Sequence, residues 1–245
     1  MIAGLIIFLM SLLPSLYWLK KQKLTHGEFF ELGEAFASGI FLGAAFFHML
    51  PDAIRAMTIL NMPFAYLLPE IICVLGFLLL LFLERLSLQK APISTAISIP
   101  YILIIILVIH AITEGAALGL GATLTETLML LIAIVAHKSA ETFALCVTLL
   151  RNHIPLRQII LIILFFSLMT PLGIGIGTEL NLLTIAQHGI FITALFSAFA
   201  AGTFLYISTL HHTHFHQHTN DTRGLIEFLS LTSGTIIMGI IAIFN

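Results

Sequence analysis

Residues 99–121 read IPYILIIILVIHAITEGAALGLG, and residues 126–150 read ETLMLLIAIVAHKSAETFALCVTLL. Each stretch is apolar and long enough to cross a lipid bilayer as a helix. The first carries His110 and Glu114, and the second carries His137 and Glu141. A spacing of four residues places both side chains of a pair on one face of a helix, one turn apart. Two such helices side by side can offer two imidazoles and two carboxylates to a single cation.

The composition points to an integral membrane protein. The chain has 245 residues, of which 59% are hydrophobic and only 9% are charged, too few charges to cover a water-soluble surface. Apolar stretches of membrane-spanning length recur eight times, and lipid leaves helices as the structure that satisfies their backbones. We therefore predict an all-α polytopic protein with one transmembrane domain, 1–245, and spans near residues 2–19, 29–50, 64–84, 99–121, 126–150, 157–179, 188–210 and 224–244.

The basic residues predict the orientation. Eight of the ten Lys and Arg residues fall on one side of the predicted membrane. The opposite side has only Arg55, and Lys138 lies within a span. The positive-inside rule makes the first side cytoplasmic, so both termini are expected outside the cytoplasm. Residues 2–19 are interpreted as a span and not as a cleaved signal, because their basic cluster follows the apolar stretch. Cys73 and Cys146 are interpreted as apolar fillers, nothing indicates nucleic acid as a partner, and assembly as a homodimer is left open.

The polar groups of the two central spans predict a metal site. An ionisable group at the centre of a membrane costs at least ~2.5 kcal/mol, so it normally faces a partner or a wet cavity. Imidazole nitrogens and carboxylate oxygens suit Zn²⁺ and also accept Fe²⁺, Mn²⁺ or Cd²⁺. Lys138 lies in the same span and needs a carboxylate, either Glu114 or Glu141. Our hypothesis is that its ammonium takes the place of a second cation.

An internal match predicts an inverted repeat. Residues 35–48, AFASGIFLGAAFFH, and residues 198–211, AFAAGTFLYISTLH, are identical at seven of fourteen positions. The two segments cross the membrane in opposite directions, so spans 1–3 and 6–8 are expected to be related around spans 4 and 5. Transporters built from such repeats place their substrate sites near the midplane between the two halves.

Polar groups at both ends of this repeat suggest a route for a cation. His48 and Asp52 stand four apart at the outer end of span 2, as either an entrance or merely hydrated side chains. The stripe of Glu28, Glu31 and Glu34 is either a solvated helix start or the lip of a path. A histidine-rich tract after span 7, predicted to handle metal in the cytoplasm, contains His211, His212, His214, His216 and His218.

These motifs resemble those of the ZIP (Zrt-, Irt-like) family of divalent metal transporters over essentially the whole chain. The resemblance rests on residues 110–115, compared with the family's His-Ser-x-x-Glu-Gly, and on residues 137–141. Residues 48–52, 171–173 and 202–206 support it. It implies eight helices, metal uptake into the cytoplasm, termini outside, and metal ligands at His110, Glu114, His137 and Glu141.

The chain departs from the family pattern where members with a binuclear centre carry further polar ligands. Those positions hold Ala111, Lys138 and Thr170 here, which favours one transported metal over two. The prolines that such members carry before the two glutamates are Thr113 and Ala140, so their helix kinks are not expected. The family's histidine-rich loop commonly follows span 3, whereas here the tract follows span 7.

We therefore expect a secondary transporter that carries Zn²⁺, as substrate and not as a prosthetic group, inward by alternating access. The alternative is an intramembrane zinc hydrolase, in which the same side chains would hold a metal with bound water. No separate nucleophile or oxyanion-stabilising set is evident in the sequence, and an inverted repeat with histidines at both ends has no role in hydrolysis. The compact chain favours a bacterial inner membrane.

Overall fold

A computed structural model describes residues 2–20, 28–89, 98–120, 124–182, 186–209 and 223–243. These residues form helices joined by short turns. The helices are α1 (Ile2–Lys20), α2 (Glu28–Ala44), a π-helical turn (Ala45–Met49), α3 (Leu50–Ile59), α4 (Leu67–Gln89), α5 (Ser98–Leu120), α6 (Leu124–Arg151), α7 (Leu156–Leu182), α8 (Ala186–Thr209) and α9 (Arg223–Ile243).

The prediction of eight membrane-spanning helices is confirmed. Eight helical segments of the described residues are long and apolar enough to cross a membrane, with α2, the π-helical turn and α3 forming one of them. Large apolar side chains such as Phe82, 60% exposed, cover the outside, whereas Lys138 and Glu141 are fully buried. This distribution suits a molecule whose outer solvent is lipid.

The helices pack in two groups. One consists of α1, α5, α6 and α7, in which α5 lies along α7 and α1 contacts both α6 and α7. The other consists of α2 with α3, α4, α8 and α9, in which α2 packs on α9 and α4 packs on α8. The groups meet where α5 contacts α8 and α2 contacts α6. The two helices that carry the predicted ligands, α5 and α6, therefore belong to one group and face the other.

Hydroxyl groups tie the first group together. Ser11 of α1 is 3.1 Å from Thr142 of α6, and Ser167 of α7 is 2.9 Å from Ser11. All three side chains are fully buried. Because hydroxyls in lipid have few alternative partners, these contacts help to hold α1, α6 and α7 together.

Glycines allow α5 and α7 to touch at their backbones. A Cβ atom at Gly115 of α5 would collide with the carbonyl of Thr170, and one at Gly173 of α7 would collide with the carbonyl of Ile112. Small residues permit this approach in membrane helices. The crossing fixes the depth of α5, and therefore of His110, relative to α7.

Substitution of Gly173 by alanine is expected to lower the free energy of unfolding by about 1–3 kcal/mol, because the added methyl group forces the two backbones apart. Gly175, two residues along the same helix, is the matched control, since nothing lies within 4 Å of a Cβ placed there. Thermal denaturation of the purified variants in detergent measures the effect. Equal melting temperatures for Gly173→Ala and Gly175→Ala would contradict this account of the crossing.

The second span continues beyond residue 50. It passes through the π-helical turn at residues 45–49 and runs on as α3 to Ile59. A π-helical turn inserts an extra residue into a helix and often lies at a functional site. Here the turn contains His48, whose side chain is 5% exposed.

The inverted repeat stays a prediction. The matched glycines both lie at close helix crossings: Gly39 is a close-contact residue of α2 with α9, and Gly202 is one of α8 with α4. The matched residues Phe41 and Phe204 also contact each other, with ring centroids 4.8 Å apart.

Candidate metal-transport site

The structure brings the four predicted ligands together. His110 and Glu114 lie one turn apart on α5, and His137 and Glu141 lie one turn apart on α6. One ligand atom from each residue lies within 4.8 Å of the other three. All four side chains are buried, and those of His137 and Glu141 are inaccessible.

The shortest contacts run between the two helices. His137 Nε2 is 2.5 Å from Glu114 Oε1, and His110 Nε2 is 3.2 Å from Glu141 Oε1. The contacts within each helix are longer, 3.7 Å in both pairs. Each histidine therefore faces the glutamate of the other helix, and the donors converge on a point between α5 and α6.

Most of these polar atoms lie close to one another without a well-aligned hydrogen bond. Among the described residues, no well-formed hydrogen bond reaches the ring nitrogens of His110 and His137, the carboxylate oxygens of Glu114 or Oε1 of Glu141. Buried polar groups are normally satisfied, and those left unsatisfied are costly. A divalent cation coordinated by one atom from each of the two imidazoles and two carboxylates would satisfy four of these atoms.

Lys138 contacts the opposite oxygens of the same carboxylates. Its Nζ donates a hydrogen bond to Oε2 of Glu141 at 2.7 Å and lies 3.5 Å from Oε2 of Glu114. The ammonium also lies 4.6 Å from the ring centroid of Phe166, and Lys138 is fully buried. The two carboxylates thus present Oε1 to the histidines and Oε2 to a fixed positive charge.

Family members with a binuclear centre carry polar ligands at two other positions, and both positions hold uncharged residues here. Ala111 is fully buried on α5, and Thr170 is fully buried on α7. The Thr170 hydroxyl has no hydrogen-bond partner in the described part of the chain. Lys138 is therefore the charged residue among these three positions in the described structure.

His48 and Asp52 lie close to the ligand set. Nδ1 of His48 is 2.8 Å from Oδ2 of Asp52, and Arg55 binds the other oxygen of Asp52 at 2.5 Å. The His48 ring centroid lies 5.9 Å from that of His137. The predicted entrance is therefore adjacent to the candidate site.

A cavity of about 450 Å³ leads from this pair to the ligands. We call it the His48 cavity; its lining includes His48, Asp52, His110, Thr113 and Glu114. Asp52 is 31% exposed at its rim, so the cavity connects the ligand set with the surface at that end. The histidine-rich tract, His211, His212, His214, His216 and His218, lies outside the described residues.

Two features were not predicted from the sequence as parts of the site. The ring of Phe204 lies 5.0 Å from that of His110 and 4.8 Å from that of Phe41, measured between centroids. Glu34 forms an ion pair with Arg151 at 2.7 Å. The repeat contained a signal for the first feature, because Phe41 and Phe204 are matched positions, whereas no sequence pattern links residues 34 and 151.

Comparison with known proteins gives a consistent result. The family described as ZIP Zinc transporter matches residues 1–92 and 87–242. Zinc transporter ZIP1 of Danio rerio is 30% identical, covering 83% of this chain and 81% of the relative. Zinc transporter 11 of Arabidopsis thaliana is 27% identical over 98% of this chain and 83% of its own length, and zinc transporter ZIP1 of Homo sapiens is 26% identical over 86% and 78%.

Proposed function

This chain belongs to the ZIP family of zinc transporters, and we propose that it moves Zn²⁺ into the cytoplasm as a secondary transporter through the His110, Glu114, His137 and Glu141 site. The membrane-protein fold and the family are established, and the family is one of transporters and not of enzymes. The observation that carries the proposal is a buried set of two imidazoles and two carboxylates whose ligand atoms lie within 4.8 Å of one another without well-formed hydrogen bonds.

The donor set supports Zn²⁺ as the main substrate. Two nitrogens and two oxygens can complete a tetrahedral zinc site. The same donors accept Fe²⁺, Mn²⁺ and Cd²⁺, which we keep as further substrates. No thiolate takes part, and this suits a carrier, since the ion must also be released.

We propose a route with three successive binding sites for the ion. His48 and Asp52 collect the ion at the mouth of the His48 cavity, and the four ligands then hold it between α5 and α6. His211 and the histidines that follow it receive the ion on the other side. The ring centroids of His48 and His137 lie 5.9 Å apart, which supports direct transfer of the ion from the first binding site to the second.

Alternating access would require the two helix groups to move relative to each other. The family resemblance suggests that α1, α5, α6 and α7 move as one body against α2, α3, α4, α8 and α9. The packing supports this division, because contacts within each group are denser than contacts between them. Both ligand helices then move with their group and carry the ion with them.

The direction of transport and the membrane are part of the proposal. The basic residues favour both termini outside the cytoplasm, with the His48 cavity on the outer side. A bacterial inner membrane remains our prediction, although the named relatives are eukaryotic. Assembly as a homodimer likewise remains a prediction.

Uptake of radioactive zinc by proteoliposomes tests the function. We expect the purified protein to accumulate Zn²⁺ well above protein-free liposomes of the same lipid composition. An intramembrane hydrolase would instead bind the metal without moving it across the bilayer. Binding of Zn²⁺ without its accumulation would therefore overturn the transport proposal and favour the hydrolase alternative.

A further inference from the structure

A second cavity lies on the other side of the ligand set. It has a volume of about 60 Å³, and we call it the Arg151 cavity; its lining includes Glu34, Ser38, Phe41, Ala144, Arg151 and Tyr206. It is bounded by α2 and α6 and by residues of α4, α5 and α8. Both helix groups therefore contribute to its walls.

Two aromatic rings separate this cavity from the candidate metal site. Phe41 lines the cavity and packs against Phe204, with ring centroids 4.8 Å apart. Phe204 contacts His110 at 5.0 Å between ring centroids. Both phenylalanines are buried, at 1% and 0% exposure. In this structure the ligand set is thus open towards the His48 cavity and closed towards the Arg151 cavity.

An ion pair crosses the wall of the Arg151 cavity between the two helix groups. Arg151 Nη2 at the end of α6 donates a hydrogen bond to Glu34 Oε2 near the start of α2 at 2.7 Å. The α6 helix also carries His137 and Glu141, whereas α2 leads into the π-helical turn that carries His48. The pair therefore joins a ligand helix to the opposite group.

We propose that the Glu34–Arg151 ion pair is a latch that keeps the Arg151 cavity closed while the metal site is open to the His48 cavity. This inference rests on the proposed transport function. Widening the Arg151 cavity by moving α6 away from α2 separates the two charges. The latch must then break when the site turns towards this side and form again when the site returns.

The exposure of the two charges suits a contact that breaks in every cycle. The Arg151 side chain is 41% exposed and that of Glu34 is 15% exposed. Water can therefore solvate both groups once they part, so the pair biases the equilibrium without locking it. By contrast, the pairs of Lys138 at the candidate site are at most 5% exposed, and breaking them would leave charges with little water.

Thiol labelling tests the latch without any metal. Ser38→Cys reports access to the Arg151 cavity, and Ala117→Cys reports access to the His48 cavity, each in a background with Cys73 and Cys146 replaced by alanine. We expect Arg151→Gln to raise the labelling rate of Ser38→Cys by a water-soluble maleimide about threefold to tenfold, as expected when one part-buried ion pair is lost. Labelling of Ala117→Cys should fall.

Two further variants separate a latch from general loosening. The charge swap Glu34→Arg with Arg151→Glu should return both labelling rates towards those of the parent protein. Arg157→Gln removes another exposed basic residue at the same end of the bundle and should change neither rate. Unchanged labelling of Ser38→Cys in Arg151→Gln, or failure of the swap to restore it, would overturn the latch.

Cross-linking provides a test through transport. In the same cysteine-free background, a short bis-methanethiosulfonate reagent should join Glu34→Cys to Arg151→Cys. We expect Zn²⁺ uptake by the double variant to fall at least about tenfold and to recover when a reductant removes the linker. Full uptake by the cross-linked protein would overturn the latch. Absence of uptake by the cysteine-free parent protein would overturn the transport proposal instead, and the labelling rates would still report on the latch.

Discussion

Zn²⁺ uptake is expected to fall at least about 100-fold when His110 or Glu141 is replaced by alanine, because each substitution removes one of the four proposed ligands. Loss of even a residue that only supports a ligand costs ~10–100-fold in metal affinity. The two variants test different helices, α5 and α6, joined by the contact between His110 Nε2 and Glu141 Oε1 at 3.2 Å. Initial rates of radioactive zinc uptake into proteoliposomes, normalised to the amount of folded protein, measure the effect.

Thr113→Ala is the matched control for the ligand variants. Thr113 lines the same cavity and precedes Glu114, but its hydroxyl donates one hydrogen bond shared between the carbonyls of Ile109 and His110 on its own helix. We expect this variant to transport within about twofold of the parent protein, since a back-bonded hydroxyl contributes little to a helix. Normal uptake by both His110→Ala and Glu141→Ala would exclude the proposed site.

Replacement of Lys138 by aspartate is expected to raise the bound metal from one Zn²⁺ per chain to two. In the parent protein, Lys138 Nζ holds Oε2 of Glu141 at 2.7 Å and Oε2 of Glu114 at 3.5 Å, while the Oε1 atoms face the histidines. An aspartate would replace the ammonium by a further carboxylate. Three carboxylates around that position would then attract a second divalent cation, bridged to the first through Glu114 and Glu141.

Metal analysis of the purified protein by mass spectrometry measures the stoichiometry. Combining Lys138→Asp with Glu114→Ala should return it to one ion or fewer, which controls for adventitious binding. Lys138→Ala supplies no new ligand and leaves two buried carboxylates without their cation. We expect it to lower uptake at least about tenfold, in keeping with the cost of breaking a buried ion pair. A single ion in folded Lys138→Asp, together with unchanged uptake by Lys138→Ala, would show that Lys138 does not stand in for a second metal.

Membrane insertion, the helix count and the candidate ligands could be predicted from local patterns in the chain. Spans of about 20 apolar residues follow from the thickness of the bilayer. A spacing of four residues fixes which side chains share a face, and this pairs His110 with Glu114 and His137 with Glu141 before any tertiary contact is known. Lys138 was recognised as needing one of the two glutamates because lipid offers no other partner for a charge at that depth.

Several features could not be predicted because they depend on how distant helices rotate and cross. The spacing within α5 and α6 does not reveal that the shortest contacts run between the helices, from His137 to Glu114 and from His110 to Glu141. Lys138 reaches Oε2 of both glutamates, where the sequence offered one or the other. Which oxygen of a carboxylate faces a histidine is set by helix rotation, and here that rotation depends on packing such as the glycine contacts between α5 and α7.

The length of the second span and the ion pair between Glu34 and Arg151 could not be predicted from the sequence either. The π-helical turn that presents His48 spans residues 45–49 of an otherwise α-helical, apolar segment. Glu34 and Arg151 are 117 residues apart, and only the packing of α2 against α6 brings them within 2.7 Å. Local spacing and hydrophobicity are properties of neighbouring residues and can therefore be predicted from the sequence. The closed side of the bundle is a property of the interface between two helix groups, and it exists only once they have packed.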